Sequence, residues 1–141
     1  TVQEILDSRL FFFFIKLKRP LDKLYEEAFQ KVGLSPSQSS ILIILEMENG
    51  KLHKELAKLL GVTAPTLTKM IEKLVRKGLV EIICEGRTKH VYLTDKGRKL
   101  TPQIRQAHAE VRQLFNKAVE YYPENLIDEI NKITQQLNFC D

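Results

Sequence analysis

Residues 54–80 read KELAKLLGVTAPTLTKMIEKLVRKGLV, and residues 81–97 continue EIICEGRTKHVYLTDKG. In the first helical pattern Leu56, Leu59 and Leu60 repeat at i, i+3 and i+4, which makes one face apolar and leaves Lys54, Glu55 and Lys58 on the other. Gly61 falls just past the last turn, where a left-handed backbone is cheap for glycine, and Val62 plugs the angle to the next helix. Thr63 reads as the N-cap of that second helix, its hydroxyl accepting from a first-turn amide, and Pro65 sits where a missing N–H does no harm. Leu67, Met70, Ile71, Leu74 and Val75 then form an apolar stripe at helical spacing, with Thr66, Thr68, Lys69 and Lys73 facing outward. Gly78 ends the helix. Val80 and Ile82 alternate on one strand and Val91 and Leu93 on another, as half-buried strands do, around a polar tip that carries Arg87 and Lys89. Helix, tight turn, helix and hairpin in this order spell a winged helix-turn-helix.

An exposed helix with hydroxyls and lysines near its start suits the major groove of double-stranded DNA, because short side chains reach base edges and lysines reach phosphates. Any solvated helix offers such a face, so the wing beside it carries part of the argument. A basic wing tip lies along a phosphate backbone or enters a minor groove, where an arginine meets negative potential. Charge distribution adds weight. The chain has 141 residues and a net charge of +4, but residues 51–100 hold 12 Lys and Arg against 5 Asp and Glu. The flanking segments are slightly acidic, with 6 against 7 in residues 1–50 and 4 against 6 in residues 101–141. Excess cation concentrated on the helix pair and wing is the footprint of a nucleic-acid reader.

Outside this unit the pattern is helical. Residues 2–32 read as a long arm in which Phe11 to Phe14 would cover every side of a helix at 100° per residue. A monomer's surface helix buries one stripe, so these rings call for a partner subunit first and a ligand pocket second. Pro20 predicts a kink or break in the arm. Ser35-Pro36-Ser37-Gln38 combines a capping box with proline at the first helical position, and the core helix it opens, with Ile41, Leu42, Ile44 and Leu45, ends near Asn49-Gly50. After the wing, Thr94 caps a helix whose stripe runs Leu100, Ile104, His108, Val111, Phe115, Ala118 and Tyr122. Pro102 should bend it unless Thr101 caps a fresh start. Pro123 opens a last helix with Leu126, Ile130, Ile133 and Leu137 on one face. Two long C-terminal helices exceed what a small winged unit needs for its own core, which marks them as dimer helices.

These residues resemble the MarR family of winged-helix transcriptional regulators over nearly the whole chain. The markers are Gln38-x-x-x-Leu42-x-x-Leu45, Glu55-Leu56-Ala57, Gly61-Val62-Thr63, Thr66-Leu67-Thr68, Gly78-Leu79-Val80 and Leu93-Thr94-x-x-Gly97. The resemblance implies a mainly α fold with a small β-hairpin wing, flanked by N- and C-terminal dimerisation helices. The expected divisions are 1–33 for the arm, 34–97 for the winged unit and 98–141 for the C-terminal helices. It further implies a cytoplasmic homodimer that represses from a pseudo-palindromic operator, with the 63–77 helix in successive major grooves. Thr63, Pro65, Thr66, Thr68 and Lys69 then face bases, while Lys73, Arg87 and Lys89 serve backbone or minor groove. Arg87 matches the family's wing arginine. The wing is about three residues shorter than the family pattern and has Gly86 in place of the first of two paired arginines, which shifts weight to Lys89. Leu52-His53-Lys54-Glu55 also lacks the usual Ser or Thr cap. Family members often release DNA on binding a small aromatic or lipophilic effector between arm and winged unit, and Phe11, Phe14 and His108 are the candidate lining here.

Other classes fare worse. No apolar run approaches the roughly 20 residues of a membrane span, and the acidic opening segment does not read as a signal peptide. Cys84 and Cys140 make neither a disulfide framework nor a metal spacing, which points to a reducing compartment; Cys84 reads as a small buried hydrophobe and Cys140 as a spectator. His53, His90 and His108 form no i, i+4 pair, so neither cofactor nor metal is expected, and a redox- or metal-responsive regulator ranks below a ligand-responsive one. No phosphate-cradling glycine loop or nucleophile elbow asks for catalysis. The competing class is a winged-helix module for protein–protein contact.

Overall fold

The computed structural model describes residues 1–138, apart from the side chains of Gln3, Leu6 and Asp7; Cys140 lies outside the described residues. Six helices and three short strands follow in the order α1 (Val2–Phe29), α2 (Pro36–Met47), β1 (Lys51–Leu52), α3 (His53–Leu60), α4 (Ala64–Arg76), β2 (Val80–Glu85), β3 (Thr88–Leu93), α5 (Asp95–Ala118) and α6 (Leu126–Asn138). The strands make one antiparallel sheet in the order β1-β3-β2. This is the mainly helical, winged helix-turn-helix class that the pattern implies. β1 is too short for a periodicity to announce it.

The core lies where α2, α3, α4 and the base of the sheet meet the first half of α5. Ile41, Leu42, Leu45, Leu56, Leu67, Ile71, Leu74, Val91 and Ile104 are all fully buried there. Each such side chain contributes about 1.5–3 kcal/mol relative to exposure. The α2 start is the capping box expected: Gln38 N–H donates to Ser35 Oγ at 3.1 Å, and Ser35 N–H donates to Gln38 Oε1 at 3.2 Å. Thr94 anchors α5 to the turn after α4, since its hydroxyl accepts from Gly97 N–H at 3.1 Å and donates to Gly78 O at 2.6 Å. Gly97 is obligatory for this junction: a Cβ there would lie 2.2 Å from Leu79 O, a backbone atom.

Several expectations need correction. α1 runs unbroken through Pro20, so one missing N–H does not break a helix of 28 residues. α5 likewise continues through Pro102. Thr101 starts no new helix; its hydroxyl donates at 2.8 Å to Arg98 O, the carbonyl that Pro102 leaves without its i+4 amide. The last helix begins at Leu126 rather than at Pro123, whose carbonyl accepts from Leu126 N–H at 3.2 Å in the preceding turn. The α5 stripe places Thr101, Ile104, Ala107 and Val111 inside, so Ala107 takes the buried position assigned to His108.

The two ends differ sharply from this core. Phe11, Phe12, Phe13 and Phe14 are 68%, 55%, 60% and 43% exposed, and α6 has no buried residue at all.

Candidate nucleic-acid interface

α3 stops at Gly61, which adopts the left-handed conformation at φ 67° and ψ 34°. Val62 N–H donates back to Ala57 O at 3.1 Å, and the Val62 side chain packs against the core, which fixes the angle at which α4 departs. The start of α3 has half a capping box. Glu55 accepts from Leu52 N–H at 3.0 Å, and this bond, with Lys51 nearby, holds its carboxyl below the usual range. Thr63 precedes α4 but its hydroxyl caps no amide; Pro65 occupies the second helical position and supplies no N–H there. Instead Thr63 Oγ1 donates to Thr66 Oγ1 at 3.0 Å.

With Leu67, Ile71 and Leu74 inward, the outer surface of α4 presents Pro65, Thr66, Thr68, Lys69, Glu72, Lys73 and Arg76 to solvent. Thr68 Oγ1 donates to Ala64 O at 3.0 Å, one turn back, so its hydrogen is already committed. Arg76 and Glu72 were absent from the sequence-derived set, although Pro65, Lys69, Glu72 and Arg76 recur at helical spacing opposite the core. That spacing is the signal in the sequence, and it extends past the hydroxyls and lysines at the helix start.

The wing is a two-stranded ribbon in which Val80 pairs with Leu93, Ile82 with Val91 and Cys84 with Lys89. Its turn holds Gly86 at φ 62° followed by Arg87, which has negative φ, the sign pattern of a type II′ hairpin. Only Val80 of β2 is buried, because the ribbon projects past the core. Ile82 is therefore 38% exposed, and Cys84 is exposed rather than buried as expected, although both share a face with Val91. Arg87 and Lys89 are exposed. The base of the ribbon is tied down: Leu93 N–H donates to Asn49 Oδ1 at 2.9 Å, and His90 Nδ1 lies 2.9 Å from Gly50 O. His90 Nε2 sits 3.2 Å from Thr88 Oγ1 and 3.8 Å from Glu85 Oε2.

The ion pairs of the described residues leave the cations of this surface open, as they do most others of the chain. Lys18 pairs with Asp22, Lys51 with Glu48 and Glu55, Arg105 with Glu46, and Lys132 with Glu129. Among the described residues, Lys69, Lys73, Arg76, Arg87 and Lys89 enter no ion pair. Unpaired cations on an exposed helix and a protruding ribbon are free to neutralise phosphates.

The three residues expected to line an effector site do not converge. His108 is exposed at the edge of α5, its ring edge-on to Phe29 with centroids 4.9 Å apart and near Tyr25 at 6.3 Å. Phe14 stands 11 residues before Tyr25 on the same helix, roughly 16 Å away along its axis. Tyr25 and Phe29 also line an open cleft of about 480 Å³, with Leu34, Ser35 and Pro36 in its wall and without His108, Phe11 or Phe14. Partial burial, then Arg112, holds the His108 imidazole below its ordinary value. Among the described residues no cluster of His, Cys, Asp and Glu could hold a metal, and no helix is long and apolar enough to cross a membrane.

Comparison with known proteins agrees with this geometry. Residues 32–87 match the model of the MarR family. A transcriptional regulator MntR of Escherichia coli is 39% identical over 61 residues, which are 43% of this chain and only 37% of that protein's length. The structure of the M. tuberculosis transcriptional regulator MosR superposes with a TM-score of 0.77 and 26% identity over 92% of this chain and 95% of that one. MosR in complex with DNA gives 0.78 and 27%, over 92% and 96% of the two chains. Reduced AbfR bound to DNA gives 0.78 over 99% and 98% of the two chains, at 22% identity, which bears on the fold alone. The helix pair and most of the wing lie inside the segment that matches the MarR family model, and from the arm to α6 the chain has the winged helix-turn-helix fold of these regulators.

Proposed function

We propose that this chain is a sequence-specific DNA-binding transcriptional repressor, working in the cytoplasm as a homodimer on a pseudo-palindromic operator. The observation that carries this reading is the exposed, cation-bearing face of α4 and the wing, in the segment where the chain's excess positive charge is concentrated. Residues 34–97 are the reading unit, and residues 1–33 and 98–141 join two copies. Thr63, Pro65, Thr66, Thr68 and Lys69 face base edges in the major groove; Lys73, Arg87 and Lys89 hold phosphates or the minor groove. The absence of catalytic motifs and the regulators among its relatives support a regulator rather than an enzyme. Two reading helices related by a two-fold axis reach half-sites about 34 Å apart, one turn of B-DNA. The exposed phenylalanines of α1 and the unburied α6 support the dimer, because each leaves an apolar face that a second copy would cover. A small aromatic or lipophilic effector would enter beside Tyr25, Phe29 and His108, at the junction of arm and winged unit, and alter the separation of the two α4 helices.

Fluorescence anisotropy on DNA from upstream of the chain's own gene, against scrambled DNA and over a salt series, tests the reading. Tight, selective binding that weakens steeply with salt is expected, because phosphate contacts release counterions. Absence of binding even at low salt would replace the regulator with a protein–protein module.

A further inference from the structure

We infer that Glu72 is a specificity-determining residue of the α4 reading face, accepting a hydrogen bond from the N4 amino group of a cytosine in each half-site. This rests on the DNA-binding reading above. With Leu67 buried, 100° per residue places Thr68 and Glu72 about 100° and 140° round the helix and Lys69 and Lys73 about 200° and 240° round. Thr68 with Glu72 and Lys69 with Lys73 therefore form two neighbouring stripes, each one turn long, with Pro65 and Arg76 on the seam between them at about 160° and 180°. The stripes differ in chemistry. Thr68 has committed its hydroxyl hydrogen to Ala64 O at 3.0 Å, so it offers a ligand only lone pairs, and the Glu72 carboxylate also only accepts. Lys69 and Lys73 only donate.

Glu72 is the one acid on the exposed face of α4. Lys69 and Arg76 stand three and four residues away, within reach on a helix, yet Glu72 enters no ion pair or side-chain hydrogen bond among the described residues. A free carboxylate facing phosphates is repelled, so it weakens binding to every duplex unless a base offers it a donor. In the major groove the donors are cytosine N4 and adenine N6. Adenine sets its N7 acceptor beside N6, against the second carboxylate oxygen, whereas cytosine has no acceptor next to N4. Cytosine is the match. Its paired guanine presents N7 and O6, which Lys69 of the neighbouring stripe reads while Lys73 stays on the backbone, so one G·C pair satisfies both Glu72 and Lys69.

The test is selection of binding sites from a random duplex pool by the intact protein and by Glu72→Gln and Glu72→Ala. Both are surface changes, and unchanged thermal melts would show that the fold is kept. The wild type should enrich one cytosine per half-site. Glu72→Gln, whose amide matches adenine N6 and N7, should move that preference to adenine. Glu72→Ala should lose about tenfold in discrimination at that position and bind random-sequence duplex more tightly. Replacing the selected cytosine by 2-pyrimidinone, which lacks the amino group, should cost the wild type about tenfold and Glu72→Ala nothing. Identical enriched sites for all three proteins would overturn the role of Glu72 and leave the DNA reading standing. A wild type that enriches no sequence would overturn both.

Discussion

The segment from α2 to the start of α5 and the two ends of the chain are built on opposite principles. In the first, apolar stripes on α2, α3 and α4 close on one another and on Val91, and the fully buried side chains gather there. In the second, Phe11 to Phe14 of α1 cover every side of the helix yet stay open to solvent, and α6 buries nothing. One region is complete within a single chain; the other is the one that the proposed dimer would complete. Stability of the reading unit should therefore be a property of the chain, and stability of the ends a property of its concentration.

Leu67→Ala should break the finished half most severely. It opens a cavity under the reading helix at a position with no exposure and should cost about 2–5 kcal/mol in urea unfolding. Leu137→Ala, at a 69% exposed site of α6, should leave the dilute protein's melting unchanged and appear only in its concentration dependence. Gly97→Ala comes next, at about 1–3 kcal/mol, because the new methyl meets the Leu79 carbonyl. Helix propensity alone would make the same change stabilising, so the sign of the shift in melting temperature decides whether that close approach governs the α4–α5 junction.

Lys73→Ala should act without touching stability. It should weaken DNA of every sequence alike and lower the slope of affinity against salt by about one counterion, read by anisotropy. The smallest effect concerns pH. The native His108 imidazole is held below its ordinary value, so the unfolded chain binds more protons in that range and stability rises with pH. Its contribution is present above the unfolded histidine value and is lost as pH falls through the lowered native one. His108→Gln should flatten that part of the melting-temperature profile.

The reading unit was legible because its physics is local. Leu56 with Leu59 and Leu60, the Gly61 stop and the Leu67–Ile71–Leu74 stripe each declare themselves within a turn or two. What the sequence concealed depended on distance or on competition between bonds. β1 exists because Lys51 and Leu52 meet Val91 and His90, some 40 residues on. Thr63 has the right residue type for a cap, but Pro65 removes one of the two amides within its reach and its hydroxyl bonds Thr66 Oγ1 instead. Cys84 follows the alternation of a buried strand position, and only the length of the wing beyond the core reveals it as exposed. His108 fits the α5 stripe as well as Ala107 does, and the packing of α1 against α5 decides between them. That Lys69 and Arg76 stay unpaired could not be read from spacing, since Glu72 lies three and four residues from them and yet enters no ion pair among the described residues.

Sedimentation equilibrium of the intact chain beside Phe11→Glu/Phe14→Glu tests the division between finished and unfinished halves most directly. The wild type should have twice the 16.4 kDa chain mass. The variant should fall toward the single-chain mass with its helical content and core melting largely kept. A wild type that remains monomeric at high concentration, or a variant that unfolds at its core, would contradict the account.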